Sequence, residues 1–225
     1  MSPSFVRGAK KALPVCLGII PVGISYGMLA VQAGLSLFQS VLMSVTVMAG
    51  SSQLMAVGML GSAAVLSIIT AVFFVNLRHL VMSCCVMSRL ERSPLHTRLL
   101  CAFALCDESF ALFSLSGSAD EKHLLGANTA IYASWVLSSL AGCILGDFLP
   151  EALAKGFGVA FYAAFLAMLT PSAAGSRRIL CLVLLAAALN TGLRLILPVS
   201  WSVIISMIAA AAIGTFIPEA HDEQK

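Results

Sequence analysis

Three polar side chains, Asn76, Arg78 and His79, lie together inside an apolar run that covers residues 62–87. A cation in the hydrocarbon of a membrane costs at least about 2.5–3.5 kcal/mol, so Arg78 needs a partner or a water-filled cavity. Asn76 and His79 are three residues apart and share one face of a helix. The cluster predicts a substrate or ion path. The alternatives are that Arg78 snorkels to the interface or forms one structural ion pair.

Two adjacent carboxylates, Asp107 and Glu108, lie near the centre of another apolar run, residues 99–115. They point about 100° apart on a helix, so one of them can pair with Arg78 while the other faces a cavity. The second carboxylate is a candidate for binding a substrate ammonium or carrying a proton. The alternative is that this span begins later and that both acids lie in the headgroup region.

Small and polar residues interrupt the apolar run from residue 37 to residue 60, and they include Ser51, Ser52 and Gln53. If the helix breaks there, a new half-helix begins with free N–H groups and a positive dipole end. Several transporters bind a substrate carboxylate at such an end. The alternative is a continuous helix whose serine and glutamine side chains bond to neighbouring helices.

Composition places the chain among membrane proteins. Of its 225 residues, 60% are hydrophobic and 10% are charged, and the mean hydropathy is +0.99. A soluble domain is nearer 45–50% apolar and about 25% charged. The chain is therefore predicted to be an all-α polytopic integral membrane protein. The net charge of +3 indicates membrane orientation and no nucleic-acid partner.

The apolar runs predict about seven to eight hydrophobic segments in one transmembrane domain, residues 1–225. A short basic tail, residues 1–11, precedes them, and a polar tail, residues 218–225, follows. The first run is too long for a signal peptide, and its two prolines, Pro14 and Pro21, predict a kinked or broken helix. The runs cover residues 12–32, 37–60, 62–87, 99–115, 127–148, 156–169, 179–197 and 199–217.

The distribution of cations predicts that some segments re-enter without crossing. If all eight runs cross and the N-terminus is cytoplasmic, Arg89, Arg92 and Arg98 lie outside, against the positive-inside rule. One re-entrant run among the first three, best placed at residues 37–60, moves the loop with these arginines inside, and a second among runs four to six keeps Arg177 and Arg178 inside as well. Two such anomalies predict an internal repeat. Asn76 with Arg78, two residues later, and Asn190 with Arg194, four residues later, are a weak echo of it.

The stretch from Gly23 to Gly27 fits two patterns. As G-x-x-x-G it predicts a close helix-packing face, and Gly142 and Gly146 repeat the pattern. As G-x-S-x-G it fits the nucleophile elbow of serine hydrolases, which needs a strand before it and a helix after it. The seven cysteines have no zinc-like spacing, and neither a P-loop nor H-E-x-x-H is present. We expect no metal and no cofactor.

Four motifs, in this order and spacing, resemble the AzlC family of branched-chain amino acid permeases. The resemblance covers residues 5–115, and the second half fits in length and hydropathy. It implies a large permease subunit that works with a small AzlD-type membrane subunit to export valine, leucine, isoleucine and sometimes methionine. The motifs are the glycines and prolines of the first run (Pro14, Gly18, Pro21, Gly23, Gly27) and the stretches 49–53, 75–79 and 107–111.

The sequence therefore predicts a secondary transporter and no enzyme, with possible coupling to a proton or other ion gradient. Its place is the bacterial cytoplasmic membrane, with the N-terminus in the cytoplasm. One rival function is an intramembrane serine hydrolase that uses Ser25 and His79, and another is a passive channel for small solutes. The predicted substrate-binding residues are Ser51, Ser52, Gln53, Asn76, Arg78, His79, Asp107, Glu108 and Asn190.

Overall fold

A computed structural model describes residues 2–116, 120–146, 176–197 and 199–216. These residues form two compact units, and each is described by itself. The first contains residues 2–61 and 76–146 without 117–119, and the second contains residues 62–75, 176–197 and 199–216. The single-domain prediction stays a prediction. The sixth predicted segment and the polar tail lie outside the described residues.

Every regular element in the described part of the chain is an α-helix. Three helices, α1, α4 and α7, are long and apolar enough to cross a membrane, and α2 and α8 are shorter apolar helices. The predicted all-α membrane fold is thus confirmed. The helices are α1 (Pro3–Gln32), α2 (Leu37–Thr46), α3 (Gly50–Met59), α4 (Val65–Arg89), α5 (Leu95–Phe103), α6 (Asp107–Leu115), α7 (Glu121–Gly146), α8 (Arg177–Leu193) and α9 (Val199–Phe216).

Helix α1 begins earlier than predicted and is not broken. Ser2 caps it by accepting a hydrogen bond from the N–H of Phe5, so most of the expected basic tail is helical. Pro14 and Pro21 lie inside the helix. The helix is continuous through both prolines, and α7 packs against it, as where the Ser134 hydroxyl donates to the carbonyl of Cys16 at 3.2 Å.

Helices α1 and α7 run parallel and approach closely through glycines. A Cβ on Gly8 would collide with the carbonyl oxygen of His123, and a Cβ on Gly126 would collide with that of Phe5. Further along, Gly146 lies opposite Met28. The glycines thus let the two helix backbones touch, and the predicted internal repeat stays a prediction. Helix α7 also begins at Glu121, inside a stretch that the sequence indicated as a loop.

The predicted break in the second segment is confirmed. Helix α2 begins at a capping box in which Ser36 and Gln39 exchange hydrogen bonds, and it ends at Thr46. Residues 47–49 are not helical, and α3 starts at Gly50. We call α2 and α3 together the first broken segment. Its break places Ser51 and Ser52 in the first turn of a new helix.

One end of the first unit carries most of its cations. The starts of α1 and α7 meet there, because the Ser4 hydroxyl donates a hydrogen bond to Asp120. The end of α4 lies at the same end, since Leu90 and Leu124 belong to one apolar cluster. We call this the basic end of the unit. Its cations are Arg7, Lys10, Lys11, Arg89, Arg92, Arg98 and Lys122.

The fourth predicted segment is two short helices, not one span. We call α5 and α6 the second broken segment. Asn128 donates a hydrogen bond to the carbonyl of Cys101 in α5 at 2.9 Å, and Phe113 in α6 shares an apolar cluster with Cys101 and Leu124. The connection from α6 to α7 reaches at most about 20 Å. The segment therefore leaves the basic end and returns to it, and the chain reverses at residues 104–106.

The second unit contains α8 and α9, which pack against each other. Ser176 caps α8 by accepting from the N–H of Ile179. Arg178 donates to the carbonyl of Gly214 at 2.7 Å. These contacts join the start of α8 to the end of α9, so the two helices are antiparallel.

Candidate functional site

The first turn of α3 carries backbone N–H donors at a helix start, and its residues are partly or fully buried. Ala49 precedes it with a non-helical backbone (φ −146°, ψ 85°) and provides no side-chain cap. The first N–H groups of a helix have no partner inside it, and they create a positive partial charge. Ser51 is partly exposed here, whereas Ser52 is fully buried and donates to the carbonyl of Ala49 at 2.9 Å.

The first turn of α6 carries the two carboxylates, so they do not lie in mid-helix as the sequence indicated. Cys106 precedes α6, and its N–H donates to the Ser109 hydroxyl at 3.1 Å. Acidic residues are favoured at a helix N-terminus because they oppose its positive partial charge. Asp107 and Glu108 are both partly exposed. The break thus gives both acids a favourable position that a continuous helix would not provide.

Arg78 of α4 joins the two half-helices. Its Nη1 lies 2.9 Å from Oδ2 of Asp107, and its Nη2 donates to the hydroxyl of Ser51. The predicted pairing of Arg78 with one carboxylate is thus seen, and the partner is Asp107. The Arg78 side chain is 38% exposed and that of Asp107 is 39% exposed. A planar guanidinium suits this arrangement because it donates in several fixed directions at once.

Three buried polar atoms near this ion pair have no partner within the described residues: Asn76 Oδ1, Arg78 Nε and His79 Nδ1. Nearly all buried polar groups in proteins are hydrogen-bonded, so such atoms need an explanation. All three belong to about one turn of α4. They could serve as ligands for a bound polar molecule.

Glu108 neighbours this junction but forms no salt bridge with any residue in the described ranges. It follows Asp107 directly and therefore points in a different direction from α6. The sequence predicted that one carboxylate could pair with Arg78 while the other faces a cavity. The pairing is seen, whereas what Glu108 faces and its role in binding stay predictions.

Gln53 lies away from any open space. Its side chain is fully buried, its Nε2 donates to the Ser44 hydroxyl at 3.1 Å, and its Oε1 accepts from Nε1 of Trp135 at 2.9 Å. Both polar atoms of the amide are thus used within the protein. Among the predicted residues, the structure brings Ser51, Arg78 and Asp107 into contact and places Gln53 in a separate network.

Asn190 belongs to the second unit. Its Oδ1 accepts a hydrogen bond from the Ser202 hydroxyl at 2.7 Å, which ties α8 to α9. Ser202 itself is fully buried. The visible role of Asn190 is therefore to hold two helices of its own unit together.

The predicted packing glycines lie between α1 and α7. A Cβ on Gly23 would collide with the Ser138 side chain, and one on Gly27 would collide with the carbonyl of Ser139. A Cβ on Gly142 would collide with the carbonyl of Ile24. Only hydrogen fits at these positions, so the two helices form a rigid pair beside the junction.

The serine of the G-x-S-x-G pattern has no elbow. Ser25 lies in the uninterrupted helix α1, is fully buried and donates to the carbonyl of Pro21 at 2.8 Å. A nucleophile elbow instead exposes its serine on a sharp turn between a strand and a helix. The fold around Ser25 therefore disfavours the hydrolase interpretation. Within the described residues, no group of three His, Cys, Asp or Glu side chains could hold a metal ion.

Trp135 and Ser109 were not predicted to have roles near the site. Trp135 lies inside the fifth predicted run, and its indole N–H donates to Gln53, 82 positions away. The only local signal is that a buried indole needs an acceptor. Ser109 follows the carboxylates within the 107–111 motif, and its cap appears only because the helix restarts at Asp107.

Comparison with known proteins gives one family and several membrane proteins. A family model described as AzlC protein matches residues 14–149. An uncharacterized membrane protein of Archaeoglobus fulgidus is 32% identical over 77% of this chain and 78% of its own length. The inner membrane protein YgaZ of Escherichia coli is 30% identical over 69% of this chain and 65% of its own length.

A third relative has a name that states a function. It is the branched-chain amino acid transport protein AzlC of Bacillus subtilis, which is 25% identical over 64% of this chain and 59% of its own length. No solved structure matches the chain significantly. The matched residues include both broken segments and Arg78.

Proposed function

Because the chain belongs to the AzlC family of membrane transport proteins, we propose that it is the large subunit of a secondary transporter that exports branched-chain amino acids. The name of the Bacillus subtilis relative supports the substrate class. The observation that carries the proposal is the contact of Arg78 with Ser51 and Asp107 at the starts of two half-helices. A membrane-embedded ion pair that is more than a third exposed is expected to face a polar space and not hydrocarbon.

An amino acid zwitterion fits this arrangement by charge. Its carboxylate would bind to the guanidinium of Arg78, and Ser51 and the positive end of α3 would add to this binding. Its ammonium would bind Asp107, which the substrate carboxylate displaces from Arg78, or it would bind the carboxylate of Glu108. The internal ion pair and the bound zwitterion thus replace each other, and neither charge is left without a partner in the membrane.

The unpartnered atoms of α4 supply further contacts. Asn76 Oδ1 is an acceptor for the substrate ammonium, while Arg78 Nε is a donor for the carboxylate. His79 Nδ1 lies one residue from Arg78 and can bond to either group, depending on its tautomer. Substrate binding would therefore satisfy atoms that otherwise remain buried without hydrogen bonds.

Selectivity among substrates would come from an apolar pocket for the side chain. Burying a leucine-sized side chain contributes roughly 1.5–3 kcal/mol. One methylene more or less is worth only about 1–3 kcal/mol in such a pocket. Valine, leucine and isoleucine would therefore be accepted together, with methionine as a flexible substitute.

The proposal includes a topology. Cations collect on the cytoplasmic side, so the basic end would face the cytoplasm, together with the N-terminus. The second broken segment would then re-enter from the cytoplasmic side. Helix α1 leaves the basic end and α4 returns to it, so the first broken segment would re-enter from the opposite side. The starts of α3 and α6 would meet at Arg78 from opposite faces of the membrane.

The proposal also includes a small membrane partner of the AzlD type and coupling to a proton or another ion gradient. The resemblance to the family supports the partner. The exposed fractions of Arg78 and Asp107 are compatible with a second chain that completes the site. The carboxylate of Glu108, which has no salt bridge in the described part of the chain, is a candidate carrier for the coupling ion.

The test is amino acid efflux from bacterial cells fed a leucine- or valine-containing dipeptide. Cells make this chain alone, its small partner alone or both, and free amino acid is followed inside and outside. We expect faster efflux only with both chains, and no increase when Arg78→Ala replaces the wild-type chain. Unchanged efflux with inserted wild-type protein and its partner would contradict the proposal. Efflux that never saturates with internal amino acid would indicate the passive channel instead.

A further inference from the structure

A buried polar network holds the start of α3 at a defined place. Trp135 of α7 donates to Gln53 of α3 at 2.9 Å, and Gln53 donates to Ser44 of α2 at 3.1 Å. Ser44 and Gln53 are fully buried, and Trp135 is 5% exposed. The three side chains therefore connect both arms of the first broken segment to α7.

The indole ring of Trp135 also covers the first residue of α3. A Cβ on Gly50 would lie 2.7 Å from Cη2 of Trp135, so the ring occupies the space that a side chain would fill. The opposite neighbour of the ring is Tyr26 of α1, with ring centres 5.9 Å apart and planes at 29°. The Tyr26 hydroxyl donates to the carbonyl of Ser40 in α2 at 3.0 Å. Trp135, together with its neighbours Gln53 and Tyr26, thus links helices α1, α2, α3 and α7.

Ser51 lies two residues before Gln53, in the same first turn of α3. Its hydroxyl accepts from Arg78, while Gln53 is directed toward α7. A displacement of this turn would therefore move Ser51 and the helix N–H groups away from the guanidinium. Placement of binding groups within a few tenths of an ångström is what tight recognition requires.

We propose that Gln53 and Trp135 are positioning residues for substrate binding. They touch no substrate themselves, and they hold the start of α3 against Arg78 through the Trp135–Gln53–Ser44 hydrogen bonds. This inference rests on the proposed function, in which Arg78 and the start of α3 bind the substrate carboxylate. It assigns Gln53 a role different from that of a substrate ligand.

The test compares Gln53→Met, which keeps the length of the side chain, with Trp135→Phe, which keeps a ring but removes the N–H. Each variant is made with its partner subunit in the efflux assay. Leaving a buried polar atom without its partner weakens whatever depends on it, so we expect KM for export to rise about tenfold in each variant. The maximal rate should stay within about twofold of wild type, since no contact to the moving substrate is removed.

The double variant provides the decisive comparison. If the two residues act through the hydrogen bond that joins them, Gln53→Met with Trp135→Phe raises KM no further than the worse single variant. Tyr132→Phe is the matched control. It removes another hydrogen bond between α7 and α2, from the Tyr132 hydroxyl to the carbonyl of Val45 at 2.8 Å, and should leave KM unchanged.

Amide hydrogen exchange gives a second measurement that does not need transport. A peptide covering residues 47–53 should exchange faster in Gln53→Met and in Trp135→Phe, but not in Tyr132→Phe. The positioning role would be overturned if amide exchange or KM were unchanged in the single variants. It would also be overturned if the KM increase of the double variant equalled the product of the two single increases. A wild-type pair that exports nothing would instead contradict the proposed function, while the exchange data would still decide whether the network holds the start of α3. If the Gln53→Met variant fails to insert into the membrane, KM and amide exchange of Trp135→Phe alone test the proposal.

Discussion

The two broken segments meet the same arginine, but they are held in different ways. The first is fastened by buried polar side chains, Gln53 to Ser44 and Trp135 and Tyr26 to the backbone of α2. The second is held mainly by apolar packing in two clusters, with the Asn128 amide donating to the carbonyl of Cys101 and the Cys101 thiol donating weakly to the carbonyl of Glu121. Directional hydrogen bonds fix one arrangement, whereas apolar contacts permit small displacements. If the chain is the transporter proposed above, the second segment is the better candidate for the part that moves.

The two segments also present opposite charge to Arg78. The start of α3 has no acid and keeps its positive partial charge, while the start of α6 carries Asp107 and Glu108. A zwitterion needs one positive and one negative contact at a separation of a few ångströms. Two half-helices with unlike first turns provide that pair, and two identical segments would not.

The proposed reversal of the first broken segment can be tested by the sidedness of its two flanking loops. Gly34 and Gly61 both have positive φ, of 90° and 75°, and open space around them, so their loops accept inserted epitopes. We expect both epitopes to be labelled in intact cells, while an epitope at Ser93 is labelled only after permeabilisation. Labelling of Gly34 and Gly61 on opposite sides would mean that α2 and α3 cross the membrane.

Replacing Arg78 removes the contact that the two segments share. We expect Arg78→Ala to lower export about a hundredfold, because truncating one member of a hydrogen-bonded charge pair leaves its partner unsatisfied. Adding Asp107→Ala should recover part of the lost thermal stability without restoring export, since no uncompensated charge then remains. Efflux and thermal unfolding in detergent measure the two effects. Recovery of export in the double variant would show that the pair is only structural.

The rigid contact at the start of α3 predicts a difference between two glycines of one helix. Gly50→Ala places a Cβ 2.7 Å from the Trp135 ring and should lower the free energy of unfolding by about 1–3 kcal/mol. Gly58→Ala meets nothing within 4 Å and should raise it by roughly 0.5–1 kcal/mol. Unfolding of the purified protein gives both values. Equal effects would show that Trp135 does not restrict the first turn.

The cap of α6 predicts a smaller effect on the second broken segment. Ser109→Ala leaves the N–H of Cys106 without its acceptor and should cost about 1 kcal/mol of stability. Amide exchange near the chain reversal should become faster, while that of residues 47–53 stays the same. Ser114→Ala, later in the same helix, is the control. Equal acceleration of amide exchange in both broken segments would contradict the conclusion that the two segments are held in different ways.

The smallest expected effect lies at the basic end, where both rigid helices begin. The hydroxyl of Ser4 holds the pKa of Asp120 below its ordinary value of 3.8, helped by the N–H groups of His123 and Lys122. A lowered pKa means that this stabilisation is complete above pH 3.8 and is lost as the pH falls through the folded-state pKa. Asp120→Asn should therefore lower the melting temperature at pH 7 and have little effect near pH 3. A pH-independent difference would assign the loss to hydrogen-bond geometry and not to charge.

Much of the site could be predicted because its residues violate the pattern of an apolar helix. Ser51, Arg78 and Asp107 were singled out by their polarity, and the break before Gly50 by its run of small residues. The break before Asp107 was not located, because residues 99–106 are as apolar as a continuous span. The role of Gln53 was also not predictable, since its acceptor and donor atoms are used by residues 9 and 82 positions away.

The sequence by itself determined the class of protein, the helical elements and the few polar groups that a membrane interior tolerates only with partners. These depend on local composition and on the cost of dehydrating charge, which act wherever the chain enters the membrane. Only the tertiary structure decided that the second broken segment turns back, that Asp107 is the acid paired with Arg78, and that Trp135 holds the first turn of α3. Each of these depends on which helices pack together, and the close α1–α7 contact through glycines sets that packing across more than a hundred residues of chain.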